Sequence, residues 1–348
     1  MTDTPALNPD RTAFYDAIAP HNLAPLWERL HAMVTRTPTT PALPVQWDYD
    51  NVVRSFLMRS GGLITAKEAE RRVLILENPG LKGHTSATHS LFAGLQLIMP
   101  GEVAPAHRHA ASALRFVIEG RGAYTAVEGE RAVMEPGDFI ITPSWTWHDH
   151  GNETDSPVVW LDGLDIPIVR LFDASFAEPN NAESQSISRP IGDSLARFGA
   201  NMVPVDWKPA RASSPVFSYP YARSREALRT LSRNGDPDAC HAYKLRYINP
   251  TSGASAMPTI GACMALLPAG FTSAPYRSTD GTFYTVVEGE GETVIGDTVF
   301  RWKPRDLFVV PSWATHHHKA SSEAVLFSFS DRPVQEVLSL WREDRLGG

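Results

Sequence analysis

The chain has 348 residues, of which 43% are hydrophobic, and this is sufficient for two sizeable hydrophobic cores. Its 39 acidic residues outnumber its 32 lysine and arginine residues, so the net charge is -7. This balance argues against nucleic acid as a partner, because phosphate binding requires a surplus of basic side chains.

The cysteines and the apolar runs bear on cellular location. Cys240 and Cys263 are the only cysteines, too few for a disulfide framework. The first residues lack a charged and then apolar signal region, and no apolar run approaches the roughly 20 residues that cross a membrane. We therefore predict a cytoplasmic protein with no membrane partner. A reducing cytoplasm also favours ferrous iron over ferric iron.

Residues 1–65 are predicted to form a helical N-terminal arm. The first predicted helix ends at Ile18, with Asp10 or Thr12 as its candidate N-cap. The second is Leu23–Val34, with Asn22 as its candidate N-cap, and the third is Asp48–Met58. A connector rich in proline and threonine, residues 35–44, separates the second helix from the third. We expect the arm to pack on its own or a neighbouring subunit rather than to carry an activity.

Short alternating runs between glycines and prolines occupy residues 66–172, and they predict antiparallel strands joined by tight turns. The predicted strands are 72–76, 90–98, 114–118, 123–127, 132–134, 139–141 and 158–161. Along the second of these strands, Phe92, Gly94 and Gln96 share one face. A glycine and a glutamine on one face suggest a side that leaves room beside a site, although Gly94 could equally mark a bulge.

Three histidines of this region are candidate metal ligands. Residues two apart on a strand project to the same side, so His107 and His109 can present their imidazoles to one point. His148 follows the apolar strand 139–141 and can supply the third imidazole. Neutral imidazole suits iron, zinc, copper and nickel, whereas magnesium and calcium prefer oxygen. The alternative is three unrelated surface or core histidines.

The second half of the chain repeats the first. Residues 173–235 form a polar connecting segment rich in proline and serine, with one predicted helix at 224–232. In the segment 236–348, Glu288-Gly289 repeats Glu119-Gly120 at a separation of 169 residues. A repeat of this length predicts a second domain with the same fold as the first.

The repeat retains little of the histidine cluster. At the same separation, the positions of His107 and His109 correspond to Tyr276 and Ser278, and at a separation of 168 residues, at which Pro311-Ser312-Trp313 repeats Pro143-Ser144-Trp145, His148 corresponds to His316. His317 and His318 follow directly, but successive strand residues face opposite ways and cannot all converge. A metal held by one imidazole would be weak. We therefore predict that residues 236–348 form a barrel without a full metal triad.

Two segments around the histidines resemble the motifs of the cupin family. The first segment contains Gly101, His107, His109 and Gly120, and the second contains Gly137, Pro143, His148 and Asn152. The glutamate usual in cupins is missing, since positions 113 and 114 are alanine and leucine. A three-histidine cupin of this kind, with the surrounding segments 93–100 and 112–116, resembles the gentisate 1,2-dioxygenase family. The likeness extends over most of the chain, including segments 22–27 and 70–74.

The resemblance implies a mainly β bicupin, with two antiparallel double-stranded β-helix (jelly-roll) barrels and an α-helical N-terminal arm. It further implies an Fe(II)-dependent dioxygenase that opens gentisate between its carboxyl- and hydroxyl-bearing carbons to give maleylpyruvate, and a homotetramer. Salicylate, substituted salicylates or gentisates, and 1-hydroxy-2-naphthoate are the alternative substrates. A metal-dependent cupin isomerase, a three-histidine thiol dioxygenase and a non-catalytic bicupin are the alternatives from other classes.

The charge of the metal site favours a chelating acid. Three neutral imidazoles leave a divalent iron with its full +2 charge, whereas a carboxylate ligand would reduce it. A substrate with a carboxylate and an ortho phenolate is dianionic and would neutralise this charge, which matters in a pocket of low dielectric constant. We therefore expect an aromatic hydroxy acid to bind together with dioxygen.

The resemblance also implies substrate-binding roles. It implies that Arg115 binds the substrate carboxylate, for which a planar guanidinium is suited, and that His150 lies near the substrate hydroxyl. The alternative for Arg115 is an ordinary salt bridge to Asp138. Further matches to pocket positions are Arg71, Gln96 and Asp162. Arg72 is adjacent to Arg71, so a shift of one residue would exchange the two. Phe92 offers no hydroxyl group where the family pocket often has a larger or polar aromatic side chain.

Overall fold

The computed structural model describes residues 8–347, except for the side chains of residues 66 and 67. The chain divides into two compact units, one up to Thr39 and the other from Thr40 onward. The boundaries predicted at residues 65, 172 and 235 stay a prediction, because the division at Thr39 does not address them.

The first unit contains two helices, α1 (Pro9–Ile18) and α2 (Leu26–Met33), with a 3-10 turn at Ala19–His21. The predicted caps were wrong. The side chain of Asn8 caps α1 by accepting from the backbone N–H of Asp10, which places proline at the first helical position. Asn22 adopts a left-handed conformation (φ 56°) that ends the 3-10 turn, and α2 begins only after Pro25.

The remaining helical segments belong to the second unit. They are a π-helical turn at Tyr49–Val53, α3 (Arg54–Gly61), α4 (Ala66–Ala69), a 3-10 turn at Pro79–Leu81, α5 (Ile166–Leu171), α6 (Asp193–Phe198), α7 (Tyr221–Arg233) and α8 (Arg332–Val337). The predicted third helix is thus confirmed as a π turn that continues into α3, and α7 contains the helix predicted in the connecting segment. No helix among residues 8–347 is long and apolar enough to cross a membrane.

The first barrel consists of two antiparallel sheets. Its strands are β2 (Val73–Ile75), β3 (Phe92–Ile98), β4 (Val103–His109), β5 (Ala113–Glu119), β6 (Tyr124–Val127), β7 (Glu130–Val133), β8 (Phe139–Thr142), β9 (His148–Gly151), β10 (Val158–Leu164), β11 (Ala177–Pro179) and β12 (Ser218–Tyr219). The strand orders are β12-β8-β5-β10-β3-β2 and β11-β4-β9-β6-β7. The central strands β3, β5, β6, β8, β9 and β10 are buried along almost their whole length, so both faces of these strands are covered.

The second barrel repeats this arrangement with its own two sheets. Its strands are β1 (Val45–Trp47), β13 (Tyr243–Arg246), β14 (Gly261–Leu267), β15 (Tyr276–Ser278), β16 (Thr282–Glu288), β17 (Gly291–Ile295), β18 (Thr298–Trp302), β19 (Leu307–Val310), β20 (His316–Ala320), β21 (Ala324–Ser330) and β22 (Glu343–Arg345). The strand orders are β1-β19-β16-β21-β14-β13 and β18-β17-β20-β15-β22. The predicted repeat of one antiparallel fold is confirmed.

Each barrel receives a strand from the segment that precedes the other barrel. Strand β1 pairs with β19 of the second barrel, and β12 pairs with β8 of the first barrel. The hydrogen bonds that follow these strands are also equivalent. The backbone N–H of Tyr49 donates to Asp306, and that of Tyr221 donates to Asp138 (3.1 and 2.8 Å). The duplicated unit therefore includes a strand and a turn before each barrel, exchanged between the two halves.

A shared hydrophobic core joins the barrels through their larger sheets. Phe116 of the first barrel stacks on Phe327 of the second, with ring centroids 4.1 Å apart, and both side chains are fully buried. Phe139 and Tyr247 extend this aromatic contact. Burial of large aromatic side chains contributes strongly to stability. The two barrels therefore form one rigid support for any site inside them.

Candidate active site

Strands β4 and β9 bring three histidines together inside the first barrel. His107 lies opposite His148 in the register of the two strands, and His109 follows two residues later on the same side. The ring centroids are 5.2 Å apart for His107 and His109, 4.3 Å for His107 and His148, and 4.7 Å for His109 and His148. Their potential ligand atoms all lie within 4.8 Å of one another. This is the convergence that the spacing predicts.

Backbone carbonyls orient two of the imidazole rings. Nδ1 of His109 lies 2.7 Å from the carbonyl oxygen of Ala111, and Nδ1 of His148 lies 2.9 Å from that of Thr146. A carbonyl only accepts, so each Nδ1 carries the proton and each Nε2 keeps its lone pair. Nε2 of His148 is buried and has no hydrogen-bond partner among the described residues. A buried orphan acceptor of this kind fits a metal ligand.

All three imidazoles are neutral at physiological pH. Burial and the nearby Arg71 lower the pKa of His107 to about 3, and burial lowers the pKa of His109 to about 4. Burial and Arg115 hold the pKa of His148 well below its ordinary value. Metal binding requires the unprotonated form of histidine. The cluster is therefore already in the protonation state that accepts a metal ion.

Arg71, and not Arg72, faces the histidine cluster. One guanidinium nitrogen of Arg71 contacts Nδ1 of His107 and donates to the carbonyl oxygen of Pro105 (2.7 Å). Arg72 instead forms a bidentate ion pair with Glu102, with both N–O distances 2.7 Å. Burial and the charge of Arg115 lower the pKa of Arg71 to about 10. Two cations thus lie close together beside the imidazoles.

Arg115 on β5 is buried, with 4% of its surface exposed, and it is incompletely paired. Its Nε lies 3.6 Å from Asp162 and makes no hydrogen bond, while one terminal nitrogen donates to Thr142. The alternative salt bridge to Asp138 was wrong, because that carboxylate accepts from the backbone N–H groups of Tyr221 and Glu135. Arg115 therefore retains donors for another acceptor.

Asp162 and Gln96 complete one side of this cluster. Asp162 accepts a hydrogen bond from the indole of Trp160 (3.0 Å), and burial raises its pKa to about 6 even though Arg115 opposes the shift. Gln96 is 3% exposed, and its amide makes no side-chain hydrogen bond to another described residue. In the sheet register Gln96 lies opposite Trp160. Gln96 therefore has an amide available on the sheet face that it shares with Trp160 and Asp162.

His150 lies next to the cluster, with its ring centroid 5.9 Å from that of His148. It is fully buried, and its Nδ1 shares a hydrogen bond of 3.0 Å with the hydroxyl of Thr125, while Nε2 has no partner among the described residues. Burial and the charge of Arg115 keep its pKa well below the ordinary value. His150 is therefore neutral and offers Nε2 as a free hydrogen-bonding atom.

Three supporting residues were not found from the sequence: Thr125, Thr142 and Trp160. Trp160 lies two residues before Asp162 on one strand, so alternation along the strand could have identified it. Thr125 has a repeat signal, because the hydroxyl of Thr293 bonds His318 in the second barrel at 2.8 Å. For Thr142 no local signal exists, since its contact with Arg115 depends on the pairing of β5 with β8.

The second barrel places other side chains at the ligand positions. Tyr276 lies opposite His316 in the register, as His107 lies opposite His148. The backbone N–H of Trp313 donates to the backbone carbonyl oxygen of Ser278 (2.7 Å). The backbone N–H of Trp145 donates in the same way to the backbone carbonyl oxygen of His109 (2.9 Å). Within the part of the chain that the structure describes, only the first-barrel cluster groups three residues that could hold a metal ion.

A three-imidazole centre within one of two duplicated antiparallel barrels defines a bicupin, and the Cupin domain model matches residues 94–164 and 263–329. The chain is 58% identical over 345 residues to gentisate 1,2 dioxygenase 1 of Aquipseudomonas alcaligenes, covering 99% of both chains. It belongs to the gentisate 1,2-dioxygenase family. The predicted family, the bicupin fold and the dioxygenase activity, which incorporates both oxygen atoms, are confirmed.

More distant relatives act on other aromatic acids, according to their names. The chain is 38% identical to 5-aminosalicylate 1,2-dioxygenase of Comamonas sp., covering 96% of this chain and 90% of that protein. The crystal structure of salicylate 1,2-dioxygenase from Pseudaminobacter salicylatoxidans superposes with a TM-score of 0.92 at 33% identity, covering 99% of this chain and 100% of that one. Another structure of that enzyme is a gentisate adduct, with a TM-score of 0.92 at 32% identity, covering 99% of this chain and 96% of that one.

Proposed function

We propose that this enzyme is an Fe(II)-dependent dioxygenase that opens gentisate between the carboxyl- and hydroxyl-bearing carbons and releases maleylpyruvate. The observation that carries the proposal is the pair of cations, the partly buried Arg71 and the buried Arg115, beside three neutral imidazoles. The similarity to a gentisate dioxygenase over the whole chain supports gentisate as the substrate. Salicylate-type acids and 1-hydroxy-2-naphthoate are the alternative substrates.

The charge balance of the pocket favours a dianionic acid. Arg71 and Arg115 contribute two positive charges, and among the described residues Asp162 is the one carboxylate that pairs with Arg115. A divalent metal held by neutral imidazoles would add two more positive charges. Uncompensated charge is costly in a buried site, so a carboxylate with an ortho phenolate stabilises this arrangement better than a neutral phenol.

Arg115 is proposed to bind the substrate carboxylate through its unpaired Nε and terminal N–H groups, in the bidentate geometry that guanidinium favours. Arg71 is proposed to assist by turning away from His107. A guanidinium group can only donate, so Nδ1 of His107 must be unprotonated while Arg71 contacts it. His107 can bind a metal ion through Nε2 only in the other neutral tautomer, in which Nδ1 carries the proton. A bound carboxylate gives Arg71 a better acceptor and restores that tautomer.

His150 is proposed to hydrogen-bond the substrate hydroxyl through Nε2. Its lowered pKa means that it positions this group as a neutral imidazole rather than storing a positive charge. The unpaired amide of Gln96 is proposed as a further polar contact, while Phe92 contributes no hydroxyl group. Ferrous iron held by the three histidines would supply electron transfer between the aromatic ring and dioxygen.

Substrate profiling tests the proposal. Ferrous enzyme is incubated with gentisate, salicylate, 5-aminosalicylate and 1-hydroxy-2-naphthoate, while dioxygen uptake and product mass are followed. We expect the highest kcat/KM with gentisate and a product heavier by both oxygen atoms. A higher kcat/KM with another of these acids would identify that acid as the substrate and would leave the ring-cleaving activity unchanged. Absence of uptake with every acid would contradict ring cleavage, and zinc or nickel in place of iron would favour an isomerase.

The contribution of Asp162 to substrate binding is expected to become more favourable as the pH falls toward about 6, and it opposes the release of the phenolic proton that chelation as a dianion requires. Asp162 has a pKa of about 6 in the free protein, and a second carboxylate near Arg115 would raise it further. At pH values above about 6 the carboxyl of Asp162 then holds more protons in the complex than in the free protein, so Asp162 takes up protons on binding, and below about 6 its contribution no longer changes with pH.

Calorimetry with anaerobic holoenzyme and salicylate, in buffers of different ionisation enthalpy, measures this proton uptake. Asp162→Asn is the matched control, because it removes the titrating group and keeps the shape of the side chain. We expect the Asp162→Asn variant to take up fewer protons than the parent enzyme. Equal proton uptake by both would show that Asp162 does not respond to the substrate.

We also propose that the chain assembles as a homotetramer. The apolar side chains of α2 are exposed in the single chain, with Leu26, Leu30 and Met33 at 54%, 44% and 69%. An exposed apolar face of this kind is typical of a subunit contact. Light scattering of the purified protein measures the subunit number. The cytoplasmic location stays a prediction.

A further inference from the structure

The second barrel contains a partly open cavity of about 490 Å³, lined by both polar and apolar groups, at the place equivalent to the active site. In the first barrel Gly94, Asp162 and Arg115 lie side by side on adjacent strands. In the second barrel Cys263, Ser328 and Tyr284 occupy the same three positions, and all three line the cavity. The ion pair of the first barrel is thus replaced by hydroxyl groups.

Cations nevertheless line this cavity: Arg246, Arg332, which pairs with Glu336, and Lys244 on a different strand from Tyr284. Lys244 on β13 lies opposite Ala265, in the register position that Val73 occupies opposite Gln96 in the first barrel. Lys244 lines the cavity and is partly buried. The second barrel therefore has Tyr284 at the position of Arg115, and it has a lysine on the edge strand β13 at the position of Val73.

The ammonium group of Lys244 has no hydrogen bond or salt bridge to another residue within 8–347. Of the carboxylates that line the cavity, Asp238 pairs with Arg345 (2.5 Å) and Glu336 pairs with Arg332 (2.7 Å), whereas Asp280 accepts a hydrogen bond from the neutral indole of Trp341 (2.8 Å) and acts on Lys244 through space. Burial lowers the pKa of Lys244, but Tyr284, Cys263 and Asp280 together raise it above its ordinary value. A partly buried ammonium group without a hydrogen-bond partner, facing a partly open cavity, favours an anionic ligand.

We propose that the second barrel binds a small carboxylate anion, with Lys244 as its counter-charge and the hydroxyl groups of Tyr284 and Ser328 as hydrogen-bond donors. Tyr284 keeps its proton because burial raises its pKa. The absence of a metal-binding triad among the described residues of this barrel makes the site a binding site without ring-cleaving chemistry. Two sources share this ligand chemistry: an aromatic hydroxy acid, and a short dicarboxylate such as a ring-opened product.

Calorimetric titration of the metal-loaded enzyme tests the site, with salicylate, maleate and inorganic phosphate as separate probes. An Arg115→Met background weakens binding in the first barrel, so the remaining carboxylate binding reports on the second. We expect about one site per chain in this background, and at least a tenfold loss of affinity when Lys244→Met is added. The better of salicylate and maleate identifies the source of the ligand.

Lys319→Met is the matched control, because Lys319 is an exposed lysine of the same barrel that lies near Glu292 (3.7 Å). It is expected to leave the affinity unchanged. Binding that survives Lys244→Met, or binding of phosphate alone, would overturn the proposal. Tyr284→Phe, with an expected severalfold loss, replaces Lys244→Met if that variant does not fold.

If salicylate binds more tightly than maleate, crystals of the parent enzyme soaked in 5-bromosalicylate show directly where the aromatic acid binds. An anomalous bromine peak in the second barrel supports the proposal, whereas bromine confined to the first barrel contradicts it for the aromatic acid. These outcomes do not depend on which acid the first barrel cleaves.

Discussion

His148→Ala is expected to remove the metal and with it the ring-cleaving activity. His148 is 1% exposed, and the carbonyl of Thr146 orients its ring toward His107 and His109. Loss of a group that merely orients a ligand costs about 10- to 100-fold in metal affinity, so loss of a ligand is expected to exceed about 100-fold. Two imidazoles then remain, and they leave a weak site.

His316→Ala is the matched control for this variant. His316 occupies the equivalent position in the second barrel, where Tyr276 replaces its partner histidine. Metal content per chain and dioxygen uptake are measured for both variants. We expect His316→Ala to retain both, and the two variants to have similar thermal stability without metal. Full metal content in His148→Ala, or its loss in His316→Ala, would place the metal elsewhere.

The metal-binding histidines were predictable because a single local rule governs them. His107 and His109 project from one strand at a spacing of two, and that spacing is visible in the sequence. The internal repeat then showed which half keeps the triad, because Tyr276 and Ser278 stand at the equivalent positions. Spacing and repetition are properties of the sequence itself, so they need no knowledge of how distant strands pair.

The rest of the site depends on strand pairing between distant segments. Thr142 reaches Arg115 only because β5 pairs with β8, and Asp138 is unavailable to Arg115 because it caps the turn at Tyr221. The exchanged strands β1 and β12 are three and two residues long, too short for alternation to reveal them. Asn8 was missed as a cap because the expected cap was placed after, and not before, the helix-initiating proline.

Arg115→Met is expected to reduce kcat/KM by about 100-fold or more, mainly by raising KM, while metal content is unchanged. Arg115 is buried, its Nε is unpaired, and Asp162 is its only ion-pair partner among the described residues. Removing one partner of a buried, hydrogen-bonded charge pair costs about 2–5 kcal/mol, and about 1.4 kcal/mol corresponds to a tenfold change. Arg115→Lys is expected to lose less, because it keeps the charge but not the planar fork.

Arg108→Met separates the loss of substrate binding from a general loss of positive charge. Arg108 lies between His107 and His109 on the same strand, but its side chain points away from them and pairs with Glu178 at 2.7 Å. Both variants remove one guanidinium from the neighbourhood of the metal ligands, yet only Arg115 has donors available inside the barrel. Steady-state kinetics with gentisate should therefore show an unchanged KM for Arg108→Met. An unchanged KM for Arg115→Met would mean that another group, with Arg71 the nearest candidate, holds the substrate carboxylate.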